Sequence, residues 1–389
     1  MSLFLTYGLR NLFVRKLTTT MTVLGMGLVV FVFAAVLMLA HGLEETLVDT
    51  GSPDNAIVVR AAASAETVSI MSRDQAGIAR TQPEVALKAD GTPVATNELI
   101  VMVNLSKRKN GDAGNVIIRG TTPDIFVLRS GIKLTAGRMF TPGTSEIIVG
   151  KRAAENFKGC ALGEHITSAL RDWNVVGVFD AGGTGFDSEL WGDVEQIQQV
   201  FKRPIYSSVT LRLKDPAQFD ALKKRLEADP RMTVDVKRER QFYTEQSQAT
   251  ATFIRVIGLL VSIIFAVGAV IGAMITMYAS VSNRTVEIGT LRAIGFSRTR
   301  ILGVFLIESV WLSILGWVVG VIAASAMSLV TVSTTNWDTF AELAFSFALS
   351  SRILIGSLVF SVVMGLVGGF LPAVRASRAR IVESLREAA

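Results

Sequence analysis

The sequence predicts an α-helical membrane bundle of four transmembrane helices plus a large extracytoplasmic α+β domain inserted between helices 1 and 2. Three observations carry that expectation. Apolar residues gather into runs at 18–40, 253–281, 301–333 and 353–374, each long enough for the ~20 residues a spanning helix needs. Between the first two runs, short β-branched stretches alternate with helix-like ones, the pattern of a mixed domain. Lys and Arg are unevenly placed. Arg10, Arg15 and Lys16 precede the first run. Arg284, Arg292, Arg298 and Arg300 stand against Glu287 after the second, and Arg375, Arg378, Arg380 and Arg386 against Glu383 and Glu387 after the fourth. Residues 43–251 hold 26 bases and 27 acids. The positive-inside rule then puts both termini and the 284–300 loop in the cytoplasm and the large segment outside.

Taken in order, residues 1–17 read as a cytoplasmic amphipathic helix. Leu5, Leu9, Leu12 and Phe13 recur at helical spacing beside Arg10, Arg15 and Lys16, which suits the inner interface; a plain basic flank that fixes topology fits the same residues. The first span, 18–42, exceeds a signal core, and no A-x-A site follows at 41–45, so it is expected to be permanent.

Residues 43–240 form the external domain, with room for two lobes. AIVVR (56–60), LIVMVNL (99–105), NVIIRG (115–120), EIIVG (146–150), WNVVGVF (173–179) and SVTLRL (208–213) read as strands. Helices are expected at 73–81, 151–159, 193–202 and 216–229, the last with a Phe219, Leu222, Leu226 stripe. GTTPDIF and FDAGGTGFD read as connecting loops. A domain of roughly 200 residues can bury an adequate core.

Residues 241–281 read as a stalk and second span. Phe242, Gln246, Ala249, Phe253, Val256, Leu260 and Ile263 form a coiled-coil-like seam. The second, third and fourth spans carry the pairs Gly268 with Gly272, Gly316 with Gly320, and Gly365 with Gly369, spacings that let helices approach closely. The third span is expected over 301–333, a short external loop over 334–352 and the fourth span over 353–374. A C-terminal cytoplasmic helix is expected over 375–389. Glu308 is the one acid at membrane depth, where its cost calls for a partner in the bundle or access to the interface.

The loop 282–300 leaves two readings open. Arg284 and Glu287 share a helical arc with Ile288, Leu291 and Ile294, with Gly295 able to end the helix and Ser297 to cap the next. Such a helix can lay a charged and apolar ridge into a groove on another protein. It can equally be a solvated connector.

Chemistry is sparse. No GxxxxGK[ST] stretch occurs in the 389 residues, so no P-loop binds ATP here. His165 and Cys160 are two residues where a zinc site needs more, and Asp187 and Glu189 carry no mark of a catalytic pair. The expectation is a non-enzymatic chain without cofactor or metal. Its basic pI follows from topology and needs no nucleic acid.

RTVEIGTLRAIGFSRTRIL (284–302) with FLIESVWLSILGWVVGVIAA (305–324), LPAVRASRARIVESLR (371–386) and LRNLFVRKLTTTMTVLGMGL (9–28) together resemble the permease subunits of MacB/FtsX-type ABC transporters, the type VII or mechanotransmission family. The resemblance implies a stand-alone permease, dimeric with itself or a paralogue, served by two copies of a separate cytoplasmic ATPase that binds ATP and Mg. A periplasmic adaptor and outer-membrane channel are further implied partners. Arg284, Glu287, Gly289, Leu291, Arg292 and Gly295 match the family's coupling segment, Glu308 its membrane glutamate, and Pro372, Arg375 and Leu385 its C-terminal helix. Two functions follow as expectations: export or extraction of a periplasmic or membrane substrate (small molecule, peptide, lipid or lipoprotein), or a regulatory permease that activates an external enzyme such as a cell-wall hydrolase. The size of the outer domain favours the first.

Overall fold

The computed structural model describes residues 16–336 and 339–379. The helix expected over 1–17 lies outside the described residues except at Lys16 and Leu17. Leu385 and most of the segment 375–389 lie outside them too.

In chain order, α1 (Lys16–Val48) leads to β1 (Asn55–Arg60), α2 (Arg73–Arg80), β2 (Ala95–Ser106), β3 (Ala113–Thr121), α3 (Ile125–Leu128), β4 (Lys133–Gly137), β5 (Glu146–Gly150) and α4 (Lys151–Asn156). Then come β6 (His165–Ser168), β7 (Arg171–Asp180), β8 (Leu190–Asp193), α5 (Val194–Val200), β9 (Ser208–Arg212), α6 (Phe219–Glu227) and β10 (Val234–Arg238). The chain closes with α7 (Glu239–Ser282), α8 (Thr285–Ala293), α9 (Arg298–Ala326), β11 (Thr331–Thr335), β12 (Glu342–Ser346) and α10 (Ser351–Ser377). Among the described residues, four helices (α1, α7, α9 and α10) are long and apolar enough to cross a membrane. Two compact units result: a mixed unit of Gly42–Ala251 with Thr331–Ser346, and a helical unit of the described residues up to His41 with Thr252–Val330 and Phe347 onward.

The mixed unit is built on a ten-stranded sheet in the order β10-β1-β9-β2-β3-β8-β5-β7-β4, with β6 added on β7. β1 is apolar without alternation because it is covered on both faces: Ala56 and Val58 enter one core, Ile57 and Val59 the other. In the β5–β7 pair the register shifts between Ile147 and Ile148. A one-residue slip flips faces, so Trp173 and Val175 enter the first core and Phe179 the second. Phe219, Leu222 and Leu226 of α6 are buried.

Several short elements differ from the sequence reading. β4 is exposed at every position and β8 is only LWGD, so neither shows alternation to read. α4 stops at Asn156, and Phe157 is extended and buried. Within FDAGGTGFD, residues Gly185–Ser188 form a 3-10 turn, and the Asp187 carboxylate accepts from Ala181 N at 2.6 Å and Gly183 N at 2.8 Å. The third long helix ends at Ala326, short of the 333 expected, and 331–335 with 342–346 form a hairpin in place of a plain loop. Lys107 Nζ lies 2.5 Å from Glu342 Oε1, Asn115 Nδ2 donates to Phe340 O at 3.1 Å, and Arg152 donates to the Ala344 carbonyl. Val330 and Val332 carried the apolar run past the helix end, but Thr331–Thr335 belongs to a pleated ribbon of the mixed unit.

In the helical unit, small residues set the approach of helices. A Cβ on Gly316 would stand 2.8 Å from Met26 Cβ, and one on Gly320 would stand 2.6 Å from Gly27 O, so α9 packs on α1. Gly365 faces Ser313 at 2.7 Å, and Gly369 abuts Ser309, which brings α10 onto α9. Ser361 Oγ donates to Ser313 O at 2.7 Å and Trp317 Nε1 to Ser357 Oγ at 3.0 Å. Gly268 and Gly272 differ: nothing among the described residues lies within 4 Å of a Cβ there. Contacts on α7 fall instead at Gly258, against Val36, and at Ala273, against Gly368. The seam also divides, for Phe242 and Gln246 are buried while Val256, Leu260 and Ile263 are about half exposed.

Candidate functional site

Helix α8 is nine residues long, joined to α7 and α9 by turns too short to let it leave their ends. Its C-terminal stop is local chemistry. Gly295 takes φ +105, Phe296 N donates to Leu291 O and Gly295 N to Arg292 O, both at 3.1 Å. That pair of bonds satisfies carbonyls the helix leaves open and needs the left-handed glycine. Ser297 Oγ then accepts from Arg300 N at 3.3 Å and starts α9.

Arg284 occupies the N-cap position of α8 and is 5% exposed. Its Nε donates to Glu287 Oε2 at 3.1 Å and its Nη1 to Glu308 Oε2 at 3.2 Å. The guanidinium lies over the Phe305 ring, 5.3 Å from the centroid. Glu308 thus has the partner its depth called for. One turn after Arg284, Ile288 joins a buried cluster with Met277, Val281, Ile301, Phe305, Ala373 and Ala376. Gly289 is buried beside it.

This arrangement corrects the expected ridge. Arg284 and Ile288 face the bundle, so α8 contributes to the core of the helical unit and presents its other side outward. Val286 (38%) and Ile294 (71%) are exposed, with Glu287, Thr290 and Ala293; Leu291 and Arg292 are half-buried. Between α8 and the first turns of α9 runs a mostly apolar groove of about 490 Å³, lined in part by Leu291, Phe296 and Val304, with Glu287 and Arg300 among its charged residues. The Arg284–Glu308 pair spans 24 residues and two helices, which helix periodicity cannot register. The available signal was Glu308 alone, an acid at membrane depth that calls for a basic partner without saying which, since Arg298 and Arg300 lie nearer to it in the chain than Arg284.

Of the C-terminal candidates, Pro372 is buried inside α10, which runs on to Ser377, and the Arg375 guanidinium lies 5.6 Å from the Tyr278 ring centroid. Leu385 is outside the described residues. Cys160 is fully buried, and burial pushes its thiol up to about 12, the state of an inert structural cysteine. Among the described residues no group of three or more His, Cys, Asp or Glu could hold a metal.

Sequence families match both regions. The MacB-like periplasmic core domain matches residues 19–229, and the FtsX-like permease C-terminal region matches residues 259–381. An ABC transporter permease of Bacillus subtilis, YknZ, is 28% identical over 279 residues, 68% of this chain and 68% of that protein. The macrolide export ATP-binding/permease protein MacB of Bdellovibrio bacteriovorus is 25% identical over 415 residues, covering 97% of this chain and 61% of its own. MacB of Neisseria meningitidis serogroup A is 27% identical over 281 residues, 66% of this chain and 41% of that one. The chain therefore spans less than two thirds of the MacB proteins it matches. Among solved structures, the extracellular domain of the ABC-type transporter YknZ from Gram-positive bacteria aligns with a TM-score of 0.36 and 16% identity, over 47% of this chain and 99% of that domain.

Proposed function

The chain belongs to the family of the MacB-like periplasmic core domain, joined to an FtsX-like permease region, and from that premise we propose that it is an ABC-transporter permease working by mechanotransmission. In this reading a separate cytoplasmic ATPase, in two copies, binds ATP and Mg and docks on α8. Its closure moves the four spans, and a second permease copy, identical or paralogous, completes the dimer. The mixed unit, carried between the first two spans and completed by the hairpin between the last two, is periplasmic, both termini are cytoplasmic, and the membrane is the bacterial inner membrane. The moving outer domain drives export or extraction of a periplasmic or membrane substrate, handed to a periplasmic adaptor and an outer-membrane channel. The chain itself catalyses nothing and holds no cofactor.

One observation carries the reading: α8 is fixed to the ends of the long helices by the Arg284–Glu308 pair and Ile288. A flexible connector would dissipate a push; a helix packed into the ends of three spans passes it on. The outward side of α8 supplies the docking surface, with Ile294 as its apolar tip and Arg298 and Arg300 as charged neighbours able to meet carboxylates. The groove beside α8 accepts an apolar projection from the ATPase.

The substitution Ile294→Asp places a charge where the docking surface must lose water, at a side chain 71% exposed and outside the core clusters of the described residues. The variant is expected to fold and reach the membrane normally, and to lose co-purification with its cognate ABC ATPase by tenfold or more, an effect of about 1.4 kcal/mol or greater. Undiminished co-purification together with unchanged transport would sink the docking assignment.

A further inference from the structure

Strand β2 belongs to two half-sheets. Its residues Ala95–Glu98 pair with β9, and Leu99–Ser106 pair with β3. β10, β1 and β9 lie on one side of this change of partner and β3, β8, β5, β7 and β4 on the other. Glu98 sits at the join and is fully buried.

Two guanidiniums converge there. Arg119, on β3, donates Nε to Glu189 Oε2 at 2.7 Å and Nη2 to Glu189 Oε1 at 2.8 Å. It also donates to both oxygens of Glu66, at 2.9 and 3.1 Å, and to Glu98. Glu66 is held to the other half-sheet by Ser208 Oγ of β9, at 2.7 Å. Arg129, just past α3, donates Nε and Nη2 to Glu239 Oε1 at 3.1 and 3.0 Å, and its Nη2 lies 3.3 Å from Glu98 Oε1. Glu239 is the first residue of α7, and its Oε2 accepts from Ser52 N at 3.0 Å and Asn55 Nδ2 at 2.9 Å. One turn on, Tyr243 donates to Glu66 Oε2 at 3.2 Å. Both guanidiniums lie over the Phe186 ring, at 5.1 and 4.1 Å. None of the four glutamates, the two arginines or Tyr243 is more than 6% exposed.

Apolar side chains of equal volume could give such a core comparable stability, because buried ion pairs lose most of their attraction to desolvation. What the charges add is direction. Each guanidinium presents a rigid fork of donors, and a displacement of either half-sheet, or of the first turn of α7, would strand a buried charge.

We propose that Arg119 and Arg129 are positioning residues that fasten the two half-sheets and the first two turns of α7 into one body. Its purpose rests on the mechanotransmission reading: a displacement arriving along α7 then moves both halves together. The fastening itself is a property of this chain alone and is tested without the ATPase.

The full chain in phospholipid nanodiscs carries spin labels at Lys133→Cys and Lys224→Cys. Lys133 is an exposed position of β4, and Lys224 is an exposed position of α6, which packs on β10. Native Cys160 is buried and stays unlabelled. The parent should give one narrow distance. Arg119→Met and Glu66→Gln should each broaden it, and Glu239→Gln should speed amide exchange across Gln241–Ala251 by about tenfold or more. If Arg119→Met does not fold, Glu66→Gln, which keeps the side-chain size, decides the half-sheet arm. Folded variants that keep the narrow distance and the parent's exchange would overturn the proposal. A confirmed lock in a complex that moves nothing on ATP hydrolysis would count against mechanotransmission and leave the lock standing.

Discussion

At Arg284 and Glu308 a cation and a carboxylate share a site where each is about nine-tenths buried. Breaking such a pair from one side leaves the other charge stranded, at a cost of about 3–5 kcal/mol. Glu308→Gln keeps an acceptor for Arg284 and should retain assembly. Glu308→Lys sets two cations together beside Phe305 and should lower the thermal unfolding temperature sharply. The exchanged double variant Arg284→Glu with Glu308→Arg should recover part of that loss. Normal stability of the lysine variant would mean that water reaches the site and that the pair does not anchor α8. The Gly295 stop and the Ser297 cap were legible in the sequence, since capping is settled within a few residues of the chain. The ion pair was not, because its partners are 24 residues apart and meet only once α7 and α9 have packed.

Helices α9 and α10 meet through Gly365 and Gly369 against Ser313 and Ser309, where even one added carbon collides. Gly369→Val should therefore destabilise the helical unit by about 1–3 kcal/mol, the usual cost of overpacking. Gly272→Val should leave the single chain's stability unchanged, since nothing described lies within 4 Å of that position. Thermal unfolding of both variants in detergent checks the contrast, and equal losses would contradict the packing described. Glycine spacing alone gave the three pairs the same weight, and only the fold separates them. Hydropathy misplaced one helix end: the third run was carried to 333, yet Thr331–Thr335 (TVSTT) has one apolar residue and pairs with Glu342–Ser346. Strands such as β1 were legible because burial on both faces writes a continuous apolar run. β4 and β8 were not, being an exposed edge and a four-residue insert whose pairing is set by distant strands.

At the scale of the whole chain, α7 contributes residues to both compact units. It supplies Glu239 and Tyr243 to the buried charge network of the mixed unit and Met277 and Val281 to the cluster that holds Ile288. In the proposed mechanism a push on α8 enters the cluster of the helical unit, and the mixed unit responds through its own α7 residues. The most direct measurement reconstitutes the permease with its cognate ATPase in nanodiscs and follows the distance between spin labels at Lys133→Cys on two copies, with and without ATP and vanadate. Nucleotide trapping should shift that distance, and Ile294→Asp should abolish the shift. A shift that survives Ile294→Asp, or transport by the parent complex with no shift at all, would contradict the proposed mechanism.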